Sequence, residues 1–193
     1  MIKILAGSHG VGKTTQLQKI KTHFEKSKKV IFIEEINTAL ANLGLAIDGK
    51  GKDFDFVMQT QLIALNLGIE VLSLLKERKE NVYMDRCFLD TFVYTMYFFF
   101  KQKENSESSC LIFNIIKNII EEKIYLLKNG VNIYILEPSK EFFDSNGRMD
   151  RDSQLAIHGI YLETLKKMGI PHTIIKTNNE NFNNISNFII CDK

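Results

Sequence analysis

The sequence predicts an α/β fold, a three-layer α/β/α sandwich whose central five-stranded parallel sheet is covered by helices on both faces. Three observations predict it. Five short apolar runs alternate with stretches of helical periodicity. The first run leads straight into a glycine-rich loop, Gly7-Ser8-His9-Gly10-Val11-Gly12-Lys13-Thr14-Thr15, which opens a helix. The strongest polar residues then fall just after successive strands, the edge where a parallel sheet gathers its ligands.

Taken in order, Ile2 to Ala6 reads as the first strand, and Thr14 to Lys26 as a helix with Leu17, Ile20 and Phe24 on one face. Lys29 to Ile33 is the second strand, ending in Glu34-Glu35. Residues 36–53 are mixed, with Gly44, Gly49 and Gly51 marking a loop. Phe54 to Lys79 is a long, largely apolar helical stretch whose Gly68 marks either a kink or a close helix contact. Asn81 to Asp85 is a third strand followed at once by Arg86, and Phe88 to Lys101 returns to helix. Its Tyr97-Phe98-Phe99-Phe100 suits core or a partner surface. Residues 101–109 connect to a helix over Leu111 to Lys128 with isoleucines along one side, stopped by Gly130. Val131 to Leu136 is the fourth strand. Pro138 to Ser153 follows, then an amphipathic helix from Leu155 to Met168 that Gly169 stops. Pro171 to Ile175 is the fifth strand, an asparagine-rich loop spans Asn178 to Asn184, and Ile185 to Ile190 closes the chain.

Composition narrows the classes. At 193 residues a single domain over 1–193 is expected. A net charge of +2 with no basic tract gives no reason to expect nucleic acid as a partner. The run Phe92 to Phe100 is too short to span a bilayer, and a strand starting at residue 2 leaves no room for a signal peptide, so no membrane association is expected. Cys87, Cys110 and Cys191 are odd in number and far apart, which suggests neither a disulfide framework nor a zinc site and points to a reduced, cytoplasmic protein. Of 25 basic residues only Arg78, Arg86, Arg148 and Arg151 are arginine, which ranks them as candidates for a site that needs a planar fork.

The glycine-rich loop fits G-x-x-x-x-G-K-[ST] between a strand and a helix. There the backbone N–H groups and the helix N-terminus hold a polyphosphate. In such a phosphate loop (P-loop), Lys13 reaches the β- and γ-phosphates of ATP and the Thr14 hydroxyl ligates Mg²⁺. Asp85, at the end of an apolar strand, is the candidate acid for Mg²⁺, with a helix N-cap as the alternative. Arg86 beside it is placed to face the phosphoryl group in transfer, and Arg148 and Arg151 to stabilise its charge. Glu35 is placed to take a proton from an acceptor hydroxyl or to form an ion pair. Strand alternation turns only one of Glu34 and Glu35 inward. Gln59 and Gln61 offer paired donors and acceptors to a base edge. His9 occupies a freely variable loop position and is expected to be solvated; His23, His158 and His172 show no ligand spacing.

The absence of an Asn-Lys-x-Asp signature disfavours a GTPase, and the length disfavours a full AAA module, which leaves a small kinase. Gly12-Lys13-Thr14-Thr15-Gln16, Asp85-Arg86, Met149-Asp150-Arg151-Asp152 and Tyr161-Leu162 resemble the thymidylate kinases. Glu35, Gln59 or Gln61, Asp85-Arg86 and Arg148-x-x-Arg151 are similar, in order, to the pattern of the deoxynucleoside kinases. The start of the helix from Phe56 to Gln61, the run Asp85 to Asp90 and Asn146-Gly147-Arg148 resemble the ribosylnicotinamide-kinase-like group. These resemblances imply a P-loop NTPase fold and transfer of the ATP γ-phosphate to a (deoxy)nucleoside or nucleoside monophosphate, with Mg²⁺. They also imply an arginine-bearing lid over about residues 138–153. Where thymidylate kinases carry Arg-Glu-Pro-Gly, this chain has Glu34-Glu35-Ile36-Asn37, which leaves the acceptor open between nucleoside and monophosphate. The alternative from another class is a nucleotide-dependent switch or accessory ATPase with no small acceptor. The two apolar helices also offer a surface for a homodimer.

Overall fold

The computed structural model describes residues 1–27, 29–45, 53–139 and 150–192. Five strands, β1 (Ile2–Ala6), β2 (Val30–Ile33), β3 (Asn81–Asp85), β4 (Val131–Glu137) and β5 (Thr173–Lys176), form one sheet in the order β2-β3-β1-β4-β5. Every pairing is parallel, with Ile4 opposite both Met84 and Ile133. The helices are α1 (Lys13–His23), α2 (Ile36–Asn42), α3 (Phe54–Lys76), α4 (Phe88–Lys101), α5 (Glu107–Lys123), α6 (Arg151–Met168), α7 (Asn179–Phe182) and α8 (Ile185–Cys191). A short 3₁₀ turn at Ile124–Leu127 follows α5.

Successive strand residues point to opposite faces, and this alternation sorts the core in two. Ile2, Ile4 and Ala6 of β1, Val82 and Met84 of β3, and Val131, Ile133 and Ile135 of β4 pack with α3, α4, α5 and α6. Leu5, Tyr83, Tyr134 and Leu136 face the other way, against Leu17 and Ile20 of α1 and Ile185 and Ile189 of α8. This is the expected three-layer sandwich. Lys3 is the exception on its face: a buried lysine whose ammonium donates to the carbonyls of Ile189 (2.6 Å), Ile190 (3.2 Å) and Asp192 (2.5 Å). Those carbonyls are acceptors that the end of α8 leaves without helical partners, so one cation ties the last helix to the sheet.

Element boundaries differ from the sequence expectation where local chemistry is decisive. The fifth helix starts at Glu107 because Ser106 caps it, its Oγ accepting from Ser109 N–H at 2.9 Å. Likewise α6 starts at Arg151 because the Asp150 carboxylate accepts from Ser153 N–H at 2.7 Å. The short α2 and α7 lie in stretches whose composition predicted loops. Gly68 is a close helix contact: a Cβ there would lie 3.0 Å from Phe88 Cβ and 3.1 Å from its backbone nitrogen. Helix α3 is long and apolar enough to cross a membrane by length and composition, a test the run 92–100 did not meet, and half of its window is buried inside this fold.

Candidate functional site

With β1 flanked by β3 and β4, the carboxyl ends of β1 and β3 open a crevice into which the P-loop, the end of β3 and the start of α2 all project. Gly12 caps α1 at φ 87°, and a Cβ there would fall 2.5 Å from Phe182 Cε2, so the position needs glycine for both dihedral and room. Lys13 is buried, and its ammonium donates to the carbonyls of Gly7 (2.9 Å) and Ser8 (2.7 Å). Burial, and next the Arg86 charge, lower its pKa to about 7.

Thr14 Oγ1 donates to Asp85 Oδ2 at 2.7 Å, which brings together the two residues predicted to hold Mg²⁺. The other carboxylate oxygen, Asp85 Oδ1, is buried and has no hydrogen-bond partner among the described residues. Asp85 is not the N-cap of α4. That cap is Cys87, in a reciprocal capping box with Asp90, whose Oδ2 accepts from Cys87 N–H at 2.9 Å.

Arg86 is buried and carries φ 71°, the only positive φ outside glycine among the described residues. A left-handed residue other than glycine costs about 1–2 kcal/mol, so surrounding contacts must fix this turn. The backbone N–H donates to Leu5 O at 3.0 Å, and the capping box begins one residue later. Around the guanidinium, Nε lies 2.8 Å from Glu35 Oε1, close in distance but not aligned as a hydrogen bond. Nη1 lies 3.6 Å from Asp90 Oδ1, Nη2 lies 3.1 Å from His9 Nδ1, and the Tyr94 ring centroid is 5.1 Å away. Burial works against the charge, but Tyr94 and the carboxylates of Glu35 and Asp90 hold the Arg86 pKa well up. Asp90 is itself pushed up by burial against the pull of Arg86, and it accepts a short hydrogen bond from the Tyr161 hydroxyl.

A pocket of about 240 Å³ lies beside this arginine, lined by Glu35, Asn37, Ala64, Gly68, Arg86 and Thr91 among others. Glu35 is 21% exposed and turned toward Arg86, whereas Glu34 is exposed and paired with Lys21 at 3.3 Å. Strand alternation predicted that one of the two would turn inward, but β2 ends at Ile33 and Glu35 is placed as the N-cap residue of α2.

Other sequence candidates land elsewhere. Gln59 is exposed and Gln61 buried; neither lines the pocket, because α3 turns Ala64 and Gly68 toward it instead. Arg151 is the half-buried first residue of α6, and Arg148, with residues 140–149 of the expected lid, lies outside the described residues. His9 is a correction: besides facing Arg86, its ring packs edge-on against Tyr94 at 5.2 Å, and its carbonyl accepts from Gln154 Nε2 at 2.8 Å. Because arginine is always protonated, His9 Nδ1 must accept, which fixes its tautomer.

Sequence reasoning gave no role to Asp90, Tyr161, Gln154 or Phe182. The spacing Cys87-x-x-Asp90 has the interval of a capping box, but a thiol stands where serine or threonine is usual. The other three are brought in by α6 and α7; Tyr161 entered only through the Tyr161-Leu162 resemblance, and nothing local marks Gln154 or Phe182.

Among solved structures the chain resembles deoxyadenosine kinase from M. mycoides with products dCMP and a flexible dCDP bound. There it is 16% identical, with 98% of this chain and 96% of that one covered and a TM-score of 0.64. It also resembles thymidylate kinase from Ehrlichia chaffeensis, at 17% identity, 98% and 94% coverage and a TM-score of 0.59. At such identities the likeness is one of fold, that of the P-loop nucleoside and nucleotide kinases. No curated protein matches the sequence. The length that argued against a full AAA module does not exclude an AAA domain of this size: the AAA_28 family model, described as an AAA domain, matches residues 3–181, and the chain belongs to that family.

Proposed function

We propose that this protein is an ATP-dependent kinase that transfers the γ-phosphate to a hydroxyl of a neutral (deoxy)nucleoside. The observation that carries the choice of acceptor is the charge around the pocket. Arg86 is its only lining cation among the described residues, and it already faces Glu35 and Asp90, while Asp85 adds a further carboxylate to the wall. A monophosphate would bring about two more negative charges to such a site. At about 4 Å and an effective dielectric near 20, each like-charge contact costs roughly 4 kcal/mol. A neutral hydroxyl escapes that cost and gains from a nearby base.

In this reading the backbone of residues 7–15 and Lys13 bind the triphosphate, and Arg86 meets the charge that develops on the transferring phosphoryl group. Glu35 takes the proton of the attacking hydroxyl. Thr14 and Asp85 suit Mg²⁺: a buried carboxylate oxygen without a partner beside a hydroxyl is a donor set for a hard cation. When bound, the cation neutralises charge on the phosphate oxygens. Residues 1–193 act as one kinase domain with its lid over about 138–153, Arg148 and Arg151 supplying its forks. Nucleotide metabolism in the cytoplasm accords with the free thiols of Cys87, Cys110 and Cys191.

The test is a panel of nucleosides and nucleoside monophosphates with ATP and Mg²⁺, read by product mass. A nucleoside gaining one phosphate is the expected result. A monophosphate accepted in preference would overturn the neutral-acceptor reading. The AAA-domain description of the matched family favours a second reading, an accessory ATPase without a small acceptor. ADP formation with no phosphorylated product across the panel would establish it.

A further inference from the structure

We infer that His9 is a positioning residue for Arg86: its neutral imidazole, rather than the carboxylates nearby, sets the direction in which the guanidinium points. The contacts around Arg86 divide by geometry. A carboxylate beside a buried arginine commonly takes it in a fork of two parallel N–H···O bonds. Neither carboxylate does so here. Glu35 Oε1 lies 2.8 Å from Nε without alignment, and Asp90 Oδ1 stays 3.6 Å from Nη1. Among the described residues, the contacts that meet hydrogen-bond geometry go to the phosphate loop. They are Nη2 to His9 Nδ1 at 3.1 Å and a longer one, Nη1 to the Gly7 carbonyl at 3.5 Å. The carboxylates supply charge and the loop supplies direction.

A neutral acceptor suits this task. It takes one N–H of a cation that must stay available to an incoming phosphoryl group, and it does so without neutralising that cation. A carboxylate in place of the imidazole would be a third anion around one arginine, beside the loop that receives the triphosphate. The imidazole also reaches Arg86 from a fixed frame. Its ring packs edge-on against Tyr94 at 5.2 Å, and Gln154 Nε2 holds the His9 carbonyl at 2.8 Å. Tyr94 and Gln154 are both buried. The Gly7 carbonyl that meets Nη1 accepts from Lys13 as well, at 2.9 Å, so one loop oxygen registers both cations. The catalytic consequence rests on the reading of Arg86 as the group that meets the transferring phosphoryl; the orientation itself does not.

Three substitutions separate orientation from packing. His9→Asn keeps an acceptor near the place of Nδ1 and loses the ring. His9→Phe keeps a ring against Tyr94 and loses the acceptor. Glu35→Gln removes the nearest carboxylate charge and leaves His9 in place. The first readout needs neither acceptor nor turnover: rotation about the Arg86 Nε–Cζ bond, followed by ¹⁵N NMR. Only four arginines contribute signals, and Arg86→Lys identifies the relevant one by its loss. Rotation should be slow in the wild type and in Glu35→Gln, about tenfold or more faster in His9→Phe, and slow again in His9→Asn. The second readout is kcat with the best nucleoside. It should fall about ten- to a hundredfold in His9→Phe, the worth of one hydrogen bond to a charged group, and His9→Asn should recover most of that loss. Slow rotation in His9→Phe, or fast rotation in Glu35→Gln, gives the direction to the carboxylates and overturns the inference. A phenylalanine variant that outperforms the asparagine one assigns His9 to packing and overturns it too. If the rotation pattern holds while no nucleoside is phosphorylated, the orientation stands and the acceptor reading alone falls.

Discussion

Replacing Glu35 with glutamine tests the acceptor chemistry directly. The change keeps an oxygen beside Arg86 Nε, now 2.8 Å from Glu35 Oε1, and removes the negative charge and the basic lone pair. Breaking a buried ion pair costs about 3–5 kcal/mol when the remaining charge is stranded. Here Asp90 stays 3.6 Å from the guanidinium and Glu35 is 21% exposed, so the loss reduces to about 1–2 kcal/mol, or roughly 2–8 °C in Tm for a chain of this length. The catalytic loss should be far larger. A positioned general base contributes about 10²–10⁴ in rate, so kcat with the best nucleoside should fall by that factor while ATP affinity holds. Initial rates by product mass, ATP titration and a thermal melt separate the three quantities. A kcat within about threefold of wild type, in a variant with the predicted Tm, would refute a role for Glu35 as base.

Four further outcomes are expected. Lys13→Ala should abolish phosphoryl transfer while leaving the fold intact by circular dichroism; normal turnover would remove the P-loop from the chemistry. The lowered Lys13 pKa gives ATP binding a pH dependence: phosphate stabilises the ammonium, so binding takes up a proton above about pH 7. Affinity should therefore fall as pH rises through that value, a slope that Lys13→Ala should erase in calorimetry. Gly68→Ala gains about 1 kcal/mol of helix propensity but forces overpacking against Phe88 of about 1–3 kcal/mol. A lower Tm should follow, and a stabilised variant would contradict the close contact. Arg148→Lys and Arg151→Lys should each lower kcat more than ATP affinity; loss of binding alone would assign them to ground-state nucleotide.

What was legible in the sequence is what local chemistry specifies. The P-loop needs its glycines and its Lys-Thr in consecutive order, and the strands need apolar residues on both faces, so both could be read without neighbours. The pairing of Thr14 with Asp85 followed from the P-loop and Asp85 standing at the carboxyl ends of the adjacent parallel strands β1 and β3. What failed to show depends on packing. Gln59 and Gln61 belong to a helix whose rotation is set by its contact with α4, and that rotation presents Ala64 and Gly68 to the pocket. His9 looked free because only the fold brings Arg86, Tyr94 and Gln154 to it. The capping box at Cys87 was hidden by a thiol in a place usually held by serine or threonine.

The helix that follows residues 140–149 connects these elements physically. Within its first turn, the Ser153 hydroxyl accepts from Tyr97 at 2.5 Å and Gln154 donates to the His9 carbonyl. Two turns later Tyr161 donates to Asp90, the carboxylate that both caps α4 and faces Arg86. Helix α6 is therefore keyed at one end to the P-loop and further along to the turn that holds Arg86 in its left-handed conformation. Gln154 and Tyr161 are both buried, so the helix is anchored at both points. Both contacts converge on Arg86, the first through His9 and the second through Asp90.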